Sequence, residues 1–145
     1  FVFNNDKVLL QKGALDKKIN AGLWNGLGGH IERNEHIISA AKRELFEESG
    51  INCDALVLCG TIMIDVNAEE GISLFVFGCQ NENSNFEESS EGKLGWFSVN
   101  EIPDLEIVDD VPFLIEKVIC TMKTGIQFHL LYTYDSSGNR NTTTN

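Results

Sequence analysis

Residues 28–51 read GGHIERNEHIISAAKRELFEESGI, and this stretch says more about the fold than any other part of the chain. Between Asn34 and Ser49 it contains neither Gly nor Pro, which predicts a helix. Asn34 is a favourable N-cap residue, and Glu35 then falls in the first turn, where the helix dipole favours an acidic side chain. Gly50 is a natural residue for the position after the last turn. We therefore expect a helix over 34–49 with Ile37, Ile38, Ala41 and Leu45 on its buried face.

Three acidic residues of this helix, Glu44, Glu47 and Glu48, fall within five positions and share one face. Each like-charged pair costs about 0.2–0.5 kcal/mol on an exposed helix. A solvated acidic face is one interpretation. The glycine-rich turn 26–29, which lets backbone approach a ligand, favours a cation site instead. Arg43 lies four residues before Glu47 and can orient its carboxylate, and oxygen ligands suit Mg²⁺ or Mn²⁺.

The spacing of these residues matches a known motif. Gly29, Glu35 and the run 43–51 satisfy every specified position of the Nudix box, G-x5-E-x7-R-E-U-x-E-E-x-G-U, in which U is aliphatic. The chain therefore resembles the Nudix hydrolases over residues 1–135. The resemblance implies an α/β (α+β) fold, an α/β/α sandwich around a mixed β-sheet, with the box as a loop–helix–loop. The polar tail, residues 136–145, is expected to be frayed.

The resemblance also implies a reaction and a set of site residues. Nudix enzymes hydrolyse nucleoside diphosphate derivatives, and water attacks phosphorus. Arg43 would brace Glu47, and Glu35 would support the loop. A further acid is expected before the strand that contains Trp96; Glu91 is the first choice, and Glu87, Glu88 and Glu101 are alternatives. The implied metal ligands are the carboxylates of Glu44, Glu47, Glu48 and Glu91 and the carbonyl of Gly28.

The run Trp24-Asn25-Gly26-Leu27-Gly28-Gly29 is similar to the W-N-G-x-G-G run of the MutT-like branch that hydrolyses oxidised purine triphosphates such as 8-oxo-dGTP. In that branch the asparagine reads the base, so Asn25 would do so here, with both a donor and an acceptor. The alternative is that Asn25 only shapes the turn before Gly26. The resemblance also assigns Gly28 and Gly29 to substrate binding, and Lys12 is a candidate phosphate ligand.

A second pair of residues, Asp109-Asp110, resembles the acidic pair that contacts the purine in the same branch. One carboxyl kept protonated by its neighbour could donate to the base. The alternative is that one aspartate only caps the helix that contains Pro112. Ile107 stands where related enzymes often have a stacking Trp, which makes the substrate assignment less specific than the reaction.

Composition excludes several classes of function. The chain has 145 residues, enough for one domain, and no apolar run of transmembrane length or secretory signal. Its net charge of −11 disfavours nucleic acid polymers and anionic membranes, but not a small phosphorylated ligand held with a metal. Four cysteines without a C-x-x-C pair predict buried free thiols in a reducing compartment. We expect a cytoplasmic monomer or homodimer.

Residue patterns outside the box predict strands over 8–10, 56–66, 72–79, 93–99 and 128–134. They also predict a second helix that starts near Asp110 and ends before Gly125. The leading functional hypothesis is a Mg²⁺-dependent nucleoside triphosphate pyrophosphatase that acts on an oxidised purine. The alternatives are a Nudix enzyme for ADP-ribose, a dinucleoside polyphosphate or a pyrimidine nucleotide, and an inactive sensor or interaction domain. No box glutamate is lost, which disfavours the inactive domain.

Overall fold

The computed structural model of the protein describes residues 1–14, 20–66, 69–88 and 92–144. A strand or helix lies in each segment for which one was predicted, three further strands were not predicted, and a short 3-10 helix follows the sixth strand. The elements are β1 Val2–Asn4, β2 Lys7–Gly13, β3 Trp24–Asn25, α1 Ile37–Ser49, β4 Val57–Asp65, β5 Gly71–Gln80, β6 Gly92–Ser98, the 3-10 helix Val99–Asp104, α2 Val111–Thr124, β7 Phe128–Tyr134 and β8 Arg140–Thr144.

The strands form a mixed sheet in the order β3-β2-β1-β5-β4-β7-β8, and β6 also pairs with β2. Pairing is parallel between β1 and β5 and between β4 and β7. The other pairs are antiparallel, and the longest of them join β2 to β6 and β4 to β5. The predicted mixed sheet is therefore confirmed, with β2 beside both β3 and β6 at the end that carries the glycine turn.

The two helices pack on opposite faces of this sheet. Alternate residues of a strand point to opposite faces. In β2, Val8 belongs to a buried cluster with Ile115 of α2, whereas Leu9 belongs to a second cluster with Leu45 of α1. The expected α/β/α sandwich is confirmed, and α1 is held against the sheet by its own apolar side chains.

Helix α1 begins later than the sequence suggested. Asn34 is not the N-cap: its φ of 64° lies in the left-handed region, and the cap position is His36. Glu35 therefore precedes the helix instead of lying in its first turn. Ile38 is 43% exposed, so its predicted place on the buried face is also wrong. The predicted end is confirmed, since Gly50 adopts φ 68° and its N–H donates to the Phe46 carbonyl.

The C-terminal tail is also ordered differently from the prediction. Residues 140–144 are not frayed but form β8, an edge strand that pairs antiparallel with β7 from Leu130↔Thr144 to Tyr134↔Arg140. The turn before it is closed by Asp135, whose carboxylate accepts hydrogen bonds from the N–H groups of Ser137 and Asn139. This pairing brings Arg140 back onto the body of the protein.

The predicted free thiols are buried at three of the four cysteines, Cys53, Cys59 and Cys79, whereas Cys120 is exposed on α2. Burial, with a smaller contribution from neighbouring Cys53, raises the pKa of Cys79 to about 12, so this thiol is inert as a nucleophile. Among the described residues, no helix has the length and apolar character that crossing a membrane requires.

Proline substitutions in β8 test whether the tail is a strand. In an antiparallel edge strand, the N–H groups of neighbouring residues alternate between the partner strand and solvent. One of the variants Thr142→Pro and Thr143→Pro should therefore lose a hydrogen bond to β7 and lower the thermal midpoint by about 2–6 °C, and the other should change it little. Calorimetry measures both. Two midpoints equal to that of the unsubstituted protein would indicate that the tail is frayed.

Candidate functional site

A cavity of about 720 Å³ lies between the glycine turn, the N-terminal loop of α1 and one face of β2 and β3. We call it the box cavity, since the acidic residues of the Nudix box line it. The sheet contributes Gln11 and Asn25 to its wall, the turn contributes Gly28 and Gly29, and α1 contributes four charged side chains, Arg43, Glu44, Glu47 and Glu48. The structure thus brings most of the predicted site residues together.

Arg43 is the centre of the polar network in this cavity. Its Nε and Nη2 donate to the two carboxylate oxygens of Glu35 at 3.0 and 2.9 Å, a bidentate pair. Its Nη1 donates to Glu44 Oε1 at 2.9 Å and to Glu47 Oε2 at 3.1 Å. Its Nη2 also donates to the carbonyl of His30 at 3.1 Å. One guanidinium therefore ties the loop before α1 to the acidic face of the helix.

This network sets the charge state of its members. Hydrogen bonds to Glu35 and Glu44 raise the pKa of Arg43, so the guanidinium stays charged. The Arg43 hydrogen bond, followed by the backbone N–H of Glu32, lowers the pKa of Glu35 below its ordinary value. The N–H of Glu32 donates to Glu35 Oε2 at 3.0 Å. Glu35 therefore holds the loop together as a carboxylate.

The glycine turn is pressed against the acidic helix. The N–H of Gly28 donates to Glu48 Oε2 at 2.7 Å, and Glu48 is only 5% exposed. Gly28 has a φ of 150°, which a residue with a side chain rarely adopts. A Cβ on Gly29 would collide with the carboxylate of Glu44. Gly28 is therefore needed for the backbone conformation of the turn, and a side chain at position 29 would displace the carboxylate of Glu44.

The charge and donor chemistry of the cavity fit a hard cation. The described lining includes four glutamates, Glu32, Glu44, Glu47 and Glu48, against one arginine, Arg43. Oxygen donors of this kind suit Mg²⁺ or Mn²⁺. The side chains are not arranged as a preformed ligand set: among the described residues, no three acidic, histidine or cysteine side chains are grouped to hold an ion. The fit is therefore one of charge and donor type.

Asn25 lies in this cavity beside a residue that the sequence did not single out. Asn25 of β3 is the cross-strand partner of Gln11 of β2, so the two side chains share a face of the sheet. Leu9, two residues earlier in β2, packs in the cluster of α1, which identifies this as the α1 face. The Asn25 Oδ1 accepts a hydrogen bond from the N–H of Gly26 at 2.8 Å. Asn25 thus shapes the turn and also lines the cavity.

The acidic pair 109–110 lies elsewhere. Neither aspartate is among the described residues that line the box cavity; Asp109 lines a separate cavity of about 520 Å³ with Arg140. Arg140 Nη1 lies 2.9 Å from Asp109 Oδ1 and 3.7 Å from Asp110 Oδ2. Asp110 occupies the N-cap position of α2 but its side chain makes no capping hydrogen bond. The side-chain capping alternative is therefore wrong for Asp110.

Arg140 was missed because the sequence suggested a frayed tail, and its pairing with the acidic pair follows only from the folded structure. Burial alone would lower the pKa of Arg140, but the Asp109 hydrogen bond and the charges of both aspartates outweigh it and raise the pKa. Its guanidinium also stacks 4.7 Å from the ring centre of Tyr132. Burial, and next the charge of Asp110, raises the pKa of Tyr132. The acidic pair thus lies beside a permanent cation, the guanidinium of Arg140, which the sequence did not predict.

Lys12 points away from the box cavity. Its cross-strand partner is Trp24, on the opposite face from Gln11. The Lys12 Nζ lies 5.8 Å from the Trp24 ring centre and 3.6 Å from Glu106 Oε2. The structure does not bring Lys12 together with the acidic residues of α1.

Glu91, the predicted additional acid, lies outside the described residues. Two of the alternative acids, Glu101 and Glu87, make contacts within the fold. The carboxylate of Glu101 accepts the N–H of Ser98 at 3.0 Å and caps the 3-10 helix, and the side chain of Glu87 lies against the C-terminal end of α1. Glu88 is exposed.

The pKa shift of Glu35 predicts how stability depends on pH. Because the folded-state pKa is lowered from 4.5, the stabilisation by Glu35 is fully present above that value and is lost as the pH falls through the folded-state pKa. The variant Glu35→Gln should be less stable than the unsubstituted protein at about pH 6, and the difference should shrink below about pH 4. Urea unfolding at each pH measures the difference in the free energy of unfolding between the two proteins. Glu116→Gln, an exposed position on α2, is the control, and an equal pH dependence in both variants would contradict the network.

Comparison with known proteins adds independent information. A NUDIX domain family model matches residues 1–116. The chain is 34% identical over 121 residues to the oxidized purine nucleoside triphosphate hydrolase of Mus musculus, covering 80% of this chain and 76% of the mouse protein. It is 35% identical over 116 residues to the enzyme of the same name from Danio rerio, covering 77% and 73%.

The fold is also similar to solved structures. The crystal structure of the MutT protein from Bacillus halodurans aligns with a TM-score of 0.79 over 99% of this chain and 93% of that protein, at 23% identity. The family match spans well over half of the chain, and it coincides with the strands, the glycine turn and the box helix that build the cavity. The chain belongs to the Nudix hydrolase family.

Proposed function

We propose that this protein hydrolyses an oxidised purine nucleoside triphosphate, such as 8-oxo-dGTP, to the monophosphate and pyrophosphate, with Mg²⁺ as cofactor. The supporting observation is that Asn25 and the acidic face of α1 line one cavity. A nucleotide in that cavity would have its base beside the sheet and its phosphates beside the helix. The relatives from Mus musculus and Danio rerio are named oxidized purine nucleoside triphosphate hydrolases.

Nudix hydrolases generally use divalent metal ions. We propose that Glu44, Glu47 and Glu48, with the carbonyl of Gly28, hold Mg²⁺, and that Glu91 adds a further carboxylate. Bound Mg²⁺ supplies charge neutralisation for the phosphate chain. Arg43 positions Glu44 and Glu47 through the hydrogen bonds described above. Mn²⁺ is the alternative cation for this donor set.

Asn25 is our proposed base-reading residue. Its Oδ1 already accepts the Gly26 N–H, which leaves the Nδ2 group as the donor for a base carbonyl. For Asp109 and Asp110, the proposed second contact with the purine would require the base to extend beyond the box cavity, since neither is part of its described lining and Arg140 pairs with both. Gly28 and Gly29 would let the phosphates approach the turn. For Lys12, phosphate binding would require its side chain to leave Glu106.

Removal of one box carboxylate tests the metal assignment. In Glu48→Gln the amide oxygen can still accept the Gly28 N–H, so the turn is kept while the charge is lost. Mutation of a residue that only supports a metal ligand typically lowers metal affinity or activity about 10–100-fold. Loss of a ligand itself should therefore lower the rate of pyrophosphate release more than about 100-fold. Chelation of Mg²⁺ by EDTA should abolish release. Glu116→Gln serves as the control, and comparable release by Glu48→Gln and the unsubstituted protein would overturn the assignment.

A nucleotide panel tests the substrate. The kcat/KM for 8-oxo-dGTP should exceed that for dGTP, ADP-ribose, a dinucleoside polyphosphate and dCTP. The variant Asn25→Ala should lower the preference for 8-oxo-dGTP over dCTP by about 5–150-fold, the value of a good amide–base contact. Asn100→Ala, an exposed position, is the matched control. If 8-oxo-dGTP is no better than the other compounds, the proposed substrate is wrong and the best member of the panel replaces it.

We also propose that the enzyme acts in the cytoplasm, as a monomer or homodimer, on free nucleotides and not on nucleic acid polymers. The formal charge of −11 supports the last point, since a strongly acidic protein repels a polyanion that has no local neutralising metal.

A further inference from the structure

The side chain of Gln11 is an unexplained polar group in the box cavity. Gln11 is only 6% exposed, and its Nε2 is a buried side-chain atom that has no hydrogen-bond partner among the residues that the structure describes. Buried amides normally have partners, and one without a partner destabilises the folded protein. Gln11 nevertheless forms part of the wall of the box cavity. A ligand that brings an acceptor oxygen into the cavity would give this donor a partner.

The surroundings of Gln11 suit a base and not a phosphate. Its two cross-strand neighbours on the same face are Asn25 in β3 and Leu94 in β6. Leu9 is buried on that face two residues earlier. These neighbours carry no charge, whereas the charged groups of the cavity belong to α1 and the loop before it. Phosphates and a cation are expected at the charged side, and a purine ring at the amide and leucine side.

We propose that Gln11 is a specificity-determining residue whose Nε2 donates a hydrogen bond to a carbonyl oxygen of the purine base held beside Asn25. The inference rests on the proposed function, since it assumes a nucleotide in the box cavity. Two amides on neighbouring strands then present donors to the base: Asn25 through Nδ2 and Gln11 through Nε2. Guanine and 8-oxoguanine carry carbonyl acceptors, and adenine carries none.

The variant Gln11→Met keeps the length of the side chain and removes the donor. We expect kcat/KM for 8-oxo-dGTP and dGTP to fall about five- to fiftyfold, mainly through KM, and that for dATP to stay within about twofold. The thermal midpoint should not fall, because a buried group without a partner is replaced by an apolar one. Gln80→Met, at an exposed position of β5, is the matched control and should leave both quantities unchanged.

Two outcomes would overturn the proposal. An equal loss of kcat/KM for dATP and the two guanine nucleotides would show that Gln11 contacts a part that all of them share, such as phosphate. A lower thermal midpoint with unchanged KM values would show that Gln11 only supports the fold.

Failure of the proposed function can be distinguished from failure of this inference. If the unsubstituted protein prefers another nucleotide, the dGTP to dATP ratio in Gln11→Met still tests the carbonyl contact. If it hydrolyses none of them, the side-chain amide signals of Gln11 are followed by NMR during titration with 8-oxo-dGMP and with dAMP. A shift with 8-oxo-dGMP alone supports the contact, and no shift or equal shifts reject it.

Discussion

The hydrogen bonds of Arg43 are the interaction on which the rest of the site depends. Helix α1 carries Glu44, Glu47 and Glu48 close together, and like charges at these spacings repel. The Arg43 guanidinium contacts two of these carboxylates and pairs in bidentate fashion with Glu35. It therefore offsets part of the repulsion and fixes the loop that leads from the glycine turn into the helix. A lysine could not make these contacts together, because it lacks the planar fork.

With the loop fixed, the two faces of the cavity have different chemistry. The helix presents carboxylates beside the backbone of Gly28 and Gly29, which suits a cation and a phosphate chain. The sheet presents the amides of Asn25 and Gln11 in apolar surroundings, which suits the edge of a base. A nucleoside triphosphate has the same division between a charged and a neutral end. The proposed reaction and the proposed specificity therefore use different elements of one fold.

The sequence predicted those parts that rest on local rules. Helix α1 ends at Gly50 as expected, since a left-handed residue after the last turn favours glycine. Its start was wrong because Arg43 recruits Glu35 into the loop, a contact eight residues apart that capping rules do not consider. Strand β8 and Arg140 were missed because a polar Thr- and Asn-rich segment has no apolar alternation; β7 supplies its pairing. Gln11 was missed because its significance depends on the missing partner, which only the folded structure reveals.

Crystals of the protein soaked with Mn²⁺ and measured at the manganese absorption edge test the central claim most directly. If Glu44, Glu47 and Glu48 form a cation site, an anomalous peak should lie in the box cavity, within about 2.0–2.6 Å of their carboxylate oxygens. The Glu48→Gln variant should show a weaker peak there. A cavity without a peak, or a peak that is bound only at other surface acids, would contradict the claim that the acidic face of α1 is a metal site.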